Sequence, residues 1–282
     1  METRRGRRAR EDVRLPRDLE AESDLSTREK DRKFIWSLAK GFEILRAFQP
    51  GQGPMGNNDL ARATGLPKPT VSRLTHTLTE LGYLTYLPRV GAYEPSPSIL
   101  ALGYCVLSNL RVRHVVHDQM QQLAALADAT VALASRDRLH MIFVDVCTGS
   151  SLTSLRLDTG SRVEMVNTAT GRAFLAGISD SEREYFFKHF ARRYGEGWPA
   201  LRERIQQAVE EVKSRGFCYV EDEWHSDMRG VGVPLVSLDG TTMMALMCGG
   251  PSFALSRERL EGEYGPRLVH MARSLAPMLG RN

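Results

Sequence analysis

No stretch of this chain approaches the roughly 18 consecutive apolar residues that a membrane-crossing helix requires, and its arginine-rich N-terminus is not followed by an apolar signal core. A cytoplasmic protein without a membrane partner is expected. Cysteine is scarce as well: Cys105, Cys147, Cys218 and Cys248 lie far apart in apolar surroundings, with no C-x-x-C pair. That pattern argues against a zinc ribbon or a redox dithiol and for buried, reduced thiols. The chain has no G-x-S-x-G elbow, no Gly-rich phosphate loop and no H-E-x-x-H. Asp222, His225 and Ser226 fall close together, but a nucleophile there has no recognisable activating context, so no catalytic residue is expected. His114 and His117, spaced i, i+3, could share a helix face but lack a third Cys or His nearby, so neither a metal site nor a cofactor is expected.

Net charge is nearly absent from the folded part. The formal +4 is supplied entirely by the first ten residues, METRRGRRAR, with five Arg against one Glu. Residues 1–33 alternate basic and acidic side chains with almost no large apolar ones, a composition that cannot offset the entropy of ordering a backbone. A disordered tail is expected there.

What is present begins at residue 34. Ile35, Leu38, Phe42, Leu45 and Phe48 recur at helical spacing up to the Pro50-Gly51 breaker. Asn57 and Asn58 are candidate caps for a two-turn helix carrying Leu60, Ala61 and Ala63, with Gly65 as its left-handed stop. In TGLPKPTVSRLTHTLTELGYL, Pro67 fixes a turn and Pro69 sits where a first helical turn tolerates the missing N–H. The third helix therefore starts at residue 68 or 69. Val71, Leu74, Leu78 and Leu81 form its core stripe, and Pro69, Ser72, Arg73, His76 and Glu80 its opposite side. Two β-rich runs at 83–87 and 92–95, joined by Pro88-Arg89-Val90-Gly91, read as a hairpin with a basic tip. Three helices and a hairpin make a winged helix-turn-helix, expected over 34–96.

A helix-turn-helix lays its second helix in the major groove. Arg73 can donate two hydrogen bonds to guanine, Ser72 and His76 can reach base edges or phosphates, and the backbone N–H groups near Thr70 offer an anion site. Lys68 and Arg89 suit phosphate contacts, which position without specifying.

Residues 98–110, SILALGYCVLSNL, are too apolar for an exposed linker helix and call for a partner surface, expected from a second copy of the chain. We place a linker helix at 97–111. Beyond it, over 112–282, a helix near 115–126 precedes β runs at 130–135, 139–147 and 152–157, helices at 169–177, 181–193 and 199–215, and strands at 217–221, 231–237 and 242–249. Asp239-Gly240 gives a hairpin signal between the last two, and a final helix runs from Ser256, a plausible N-cap, to 279. The fold class is thus α+β, with an antiparallel sheet and helices set against it.

SLAKGFEILRAF and DLARATGLPKPTVSRLTHTLTELGYL together resemble the DNA-binding half of the IclR family of bacterial transcription regulators. TGSRVEMVNTATGRAFLA, GFCYVEDEWHSDMRGVGVPL and LDGTTMMALMCGGP resemble successive landmarks of that family's effector-binding half, so the similarity spans about 34–280. The resemblance implies a GAF-like α/β domain after the winged helix. It implies a small-molecule effector in a cup walled by Leu152, Leu155, Ala169, Thr170, Val220, Met228, Gly230, Met247 and Gly249, with Arg156, Thr170, Ser154 and Arg229 as candidate polar anchors. The chain departs from the family at Pro69, where Ser is common, at Val166, where His is common, and at Gly230, where Cys is common. Met247 and Gly249 replace small polar side chains, so an effector with a sizeable apolar body, an aromatic acid for example, is expected.

The resemblance further implies control of a catabolic operon through a palindromic or pseudo-palindromic double-stranded operator. Binding as a dimer or dimer of dimers follows, with RNA polymerase a further candidate partner. The rival readings are a small-molecule-binding or hydrolase-like protein whose winged helix does not touch DNA.

Overall fold

The computed structural model describes residues 33–150, 157–241 and 243–279. The expected tail at 1–33 lies outside these but for Lys33. The chain divides into two compact units between Asn109 and Leu110.

The first unit holds helices α1 (Trp36–Arg46), α2 (Asn57–Thr64) and α3 (Lys68–Glu80), a hairpin of β1 (Leu84–Leu87) and β2 (Ala92–Pro95), and α4 (Ser98–Asn109). Ile44 of α1, Leu60 of α2, Val71 and Leu78 of α3, and Leu84 of β1 close its core. The hairpin gains a third rung from Met55, which exchanges two backbone hydrogen bonds of 2.9 Å with Tyr93. Gly65 stops α2 at φ 68°, a conformation that costs glycine nothing.

Two local expectations fail here. The N-cap of α2 is Gly56 rather than an asparagine, because the Asp59 carboxylate reaches back to accept from the Gly56 N–H at 3.2 Å. Leu81 leaves the core stripe: it is the residue after α3 and is exposed. Thr75 takes a buried place instead, its hydroxyl lying 3.1 Å from Asn57 Oδ1 and from the Val71 and Ser72 carbonyls, which ties α3 to α2. None of the residues of α4 is buried, so Leu100, Leu102, Tyr104 and Val106 all face outward.

The second unit is built on one antiparallel sheet in the order β5-β4-β3-β8-β7-β6. Its strands are β3 (Thr130–Asp137), β4 (His140–Thr148), β5 (Arg162–Glu164), β6 (Cys218–Glu221), β7 (Met228–Val236) and β8 (Met243–Pro251). Helix α5 (Arg111–Ala127) packs on β3 and β4, and a final helix, α9 (Gly265–Leu275), on β7 and β8. The other face carries α6 (Ala169–Gly177), α7 (Asp180–Tyr194) and α8 (Trp198–Arg215), where Phe174, Phe186, Phe187, Phe190 and Trp198 fill the core with Phe143 and Met247 of the sheet. Helix α6 can lie this close because Gly232 of β7 has no side chain. A Cβ there would stand 2.2 Å from the Ala169 carbonyl oxygen.

The expected strand at 152–157 falls on residues outside those described, except for Leu157, which is in no strand. The neighbouring edge strand is β5, too short to be read as a periodic run. The last helix is not continuous from Ser256. It opens at Arg257–Arg259, capped by the Ser256 hydroxyl, and passes through a π-helical turn at Leu260–Tyr264 before α9. Among the described residues no single helix is long and apolar enough to cross a membrane.

Candidate functional site

On α3 the polar side points away from the core. Lys68, Pro69, Ser72, Arg73 and His76 are exposed, Thr70 is half-buried, and Arg89 is exposed in the turn of the hairpin. Helix α3 starts at Lys68, with Pro67 as N-cap and Pro69 in the first turn. One detail departs from expectation. The Pro67 carbonyl accepts from both the Thr70 N–H at 2.9 Å and the Val71 N–H at 3.0 Å, and Pro69 has no N–H. The helix start therefore does not hold out the expected set of backbone donors to an anion, and side chains carry the polar chemistry of this face.

A cup opens in the second unit between β4, the N-terminus of α6 and the strands β6 to β8. Its walls are Phe143, Leu157, Val163, Val220, Trp224, Met228 and Met247, with Asn167, Thr168, Ala169, Thr170, Arg229 and Gly230 supplying backbone and polar groups, and its volume is about 50 Å³. Of the wall residues expected from the sequence, Ala169, Thr170, Val220, Met228, Gly230 and Met247 are brought together here. Gly249 is not in the wall. It stands opposite Gly230 in the β7–β8 register, where a Cβ would meet the Arg229 carbonyl oxygen at 2.8 Å. Leu152, Ser154, Leu155 and Arg156 lie outside the described residues.

Phe143, Leu157, Val163 and Trp224 were not foreseen as walls. Phe143 sits in a run read only as a strand, and Trp224 lies in the loop between β6 and β7, which has no periodicity to interpret. Arg229 pairs with Glu221, its register partner on β6, while its Nε is buried without a partner among the described residues. Asn167 Nδ2 donates to Glu164 Oε2 at 2.7 Å and to the Glu223 carbonyl at 3.4 Å. Both are acceptors, which fixes the amide orientation and leaves Oδ1 as an acceptor. That Oδ1 is also buried and unpartnered among the described residues. The cup thus combines apolar walls with one spare donor and one spare acceptor on its lining residues.

The loop at 222–227 is clamped from below. Arg172 of α6, with its side chain 4 % exposed, donates through Nε to the Val166 carbonyl at 2.9 Å and through Nη1 to Glu223 Oε1 at 2.7 Å, while Nη2 engages Oε2. Arg204 of α8 adds a bond to Glu223 at 2.9 Å. His225 and Ser226 are exposed, and the Asp222 carboxylate accepts from the Asp227 N–H at 2.9 Å, closing a turn rather than orienting a base.

His117 also has company that the sequence did not announce: Asp145 and Cys147 of β4 converge on its ring. Burial, and then the Asp145 carboxylate, push the Cys147 thiol up to about 11.

A winged helix-turn-helix followed by a separate α/β unit that encloses a small cup defines a DNA-binding transcription regulator. The chain belongs to the IclR family. The family model described as the IclR helix-turn-helix domain matches residues 37–88, and that of the bacterial transcriptional regulator IclR C-terminal matches 104–277. The regulator TsaQ1/TsaQ2 of Comamonas testosteroni is 33% identical over 86% of this chain and 87% of its own length. The Pca regulon regulatory protein of Pseudomonas putida is 26% identical over 88% and 86% respectively. The crystal structure of an IclR family transcriptional regulator from Brucella abortus is 42% identical, superposes with a TM-score of 0.81, and covers 89% of this chain and 94% of that one. These relatives are regulators, not enzymes.

Proposed function

We propose that the chain controls a catabolic operon in response to a small organic acid with a largely apolar, aromatic body. The observation that carries this reading is the cup wall: seven apolar side chains, two of them aromatic and two methionine, against few polar groups. Methionine adapts its shape to a bound ring, and Arg229 Nε, without a partner among the described residues, offers a donor for an effector carboxylate.

Size adds a condition. A cavity that holds a benzene ring measures about 150 Å³, against about 50 Å³ here. An aromatic effector therefore requires the wall to move, and Trp224 and Met228, half-buried on and beside the loop at 222–227, are the parts we expect to give. Such a ligand binds the open arrangement better than the closed one, and only that difference in affinity lets it shift an equilibrium.

In this reading Lys68 and Arg89 hold operator phosphates while Ser72, Arg73, His76 and the flanking Pro69 and Thr70 meet the groove. The apolar helix α4, none of whose residues is buried, joins two copies on a palindromic operator. Thermal shift of the full chain against aromatic and short aliphatic acids tests the effector class, since a ligand raises stability as RT ln(1 + [L]/Kd). Aromatic acids should shift the melting temperature. Strong shifts by glyoxylate or pyruvate with none from aromatic acids would overturn it. Unchanged operator affinity at saturating effector would overturn the coupling.

A further inference from the structure

On the sheet face opposite the cup, three potential ligand atoms of different chemistry converge. His117 Nδ1 on α5 lies 2.8 Å from Asp145 Oδ2 and 3.7 Å from Cys147 Sγ on β4, and all three atoms fall within 4.8 Å of one another. A β-bulge makes the convergence possible. Leu133 pairs with Asp145 but Ala134 pairs with Phe143, so one extra residue, Val144, enters β4. An inserted residue reverses which face the following side chains take. Phe143 faces the cup, whereas Asp145 and Cys147 turn to α5.

Hydrogen bonding serves this set with one weak link, the long contacts of the thiol. His117 Nδ1 can carry a proton and donate to Asp145, or be bare and accept from the Cys147 thiol; it cannot do both. The thiol's other neighbour is the His117 carbonyl oxygen, again at 3.7 Å. A cation can replace that weak link, because imidazole nitrogen, carboxylate oxygen and thiolate sulfur then all present lone pairs to one point. Tetrahedral zinc with bonds of roughly 2.0–2.3 Å spaces its ligand atoms about 3.3–3.6 Å apart, so His117 Nδ1 and Asp145 Oδ2 must part by roughly half an ångström, and the Asp145 oxygen and Cys147 sulfur, within 4.8 Å, must settle at that spacing.

Asp145 and Cys147 are 2 % exposed, while His117 is on the outer side, which leaves the fourth position to water. Arg113 Nε, 3.3 Å from Asp145 Oδ1, occupies the other carboxylate oxygen and leaves Oδ2 to the site.

We propose that His117, Asp145 and Cys147 form a site for a borderline divalent transition metal, zinc or its spectroscopic substitute cobalt, that pins α5 to β4. One thiolate and one imidazole select such ions over magnesium or calcium. On binding, the Sγ–H bond breaks, its proton goes to solvent, and the sulfur lone pair bonds to the metal, so no oxidant or reductant takes part.

The test is cobalt titration of the chelator-stripped full chain under reducing conditions. One equivalent per chain is expected, with thiolate-to-cobalt charge-transfer absorption that zinc abolishes. His117→Ala, at an exposed position, should weaken binding about tenfold or more, and His114→Ala on the same helix should not. Cys147→Ser should remove the charge-transfer band. The proposal fails if the wild-type chain shows no such band, or if the band survives Cys147→Ser. Should that variant not fold, unaltered affinity in His117→Ala overturns the site by itself.

Discussion

The guanidinium of Arg172 and the carboxylate of Glu223 meet end-on through both Nη atoms, joining the interior of α6 to the loop that carries Trp224 over the cup. Arg172 is buried, so losing its partner strands a charge away from water. Breaking a buried pair from one side costs about 3–5 kcal/mol. Glu223→Gln should therefore lower stability substantially in urea unfolding. Arg204→Ala should cost under about 1 kcal/mol, because Arg204 is half exposed and an exposed ion pair contributes little. Equal losses in the two variants would mean that the clamp is not the Arg172–Glu223 pair.

The exposed side of α3 leads to a second expectation. Arg73→Ala should weaken binding to the specific operator by about 1–3 kcal/mol and relax preference at one base pair. Lys68→Ala should weaken all sequences alike and reduce the salt slope of binding by about one. Neither should alter ligand-induced thermal shift. Fluorescence anisotropy with specific and scrambled duplexes at several salt concentrations separates the two roles, and an unaffected Arg73→Ala would remove Arg73 from the interface.

The first unit was largely readable because its signals are local. Pro67, Pro69 and Gly65 act through their own backbone restrictions, so the start of α3 and the stop of α2 follow from a few consecutive residues. The Asp239-Gly240 turn and the span of α6 are local in the same sense. What stayed hidden depends on partners remote in sequence or on breaks in period. The β-bulge at Val144 reverses an alternation that a strand pattern assumes unbroken. Thr75 is buried because Asn57, eighteen residues earlier, receives its hydroxyl. Trp224 and Phe143 join one wall only through the folding of β4 against the loop after β6, so the cup was legible mainly through family likeness, and its aromatic lining was not.

Thiol chemistry should divide the cysteines. Burial pushes the Cys218 and Cys248 thiols up to about 12, against about 8.5 for a free thiol, and only Cys105 is exposed. The folded chain therefore holds protons that the unfolded chain releases above pH ~8.5. This contribution to stability is complete below that pH and declines as pH rises toward 12. A disulfide-exchange reagent at pH 8 should modify one thiol rapidly in the native chain and four in denaturant. Rapid modification of Cys218 or Cys248 in the native chain would contradict their burial.

The contact between Gly232 and Ala169 makes the last prediction, with its sign set by opposite controls. A Cβ on residue 232 would sit 2.2 Å from the Ala169 carbonyl and 3.0 Å from Ala173 Cβ, and both belong to the body of α6 rather than to flexible side-chain ends. Gly232→Ala must therefore lift the helix from the sheet, and overpacking of this kind costs about 1–3 kcal/mol. Ala169 and Thr170 also line the cup, so effector affinity should fall together with the melting temperature. Gly41→Ala, in the middle of α1 where a Cβ meets nothing within 4 Å, should instead stabilise its helix by about 0.5–1 kcal/mol. A Gly232→Ala chain that melts like the wild type would show that α6 does not rest on β7 at this distance.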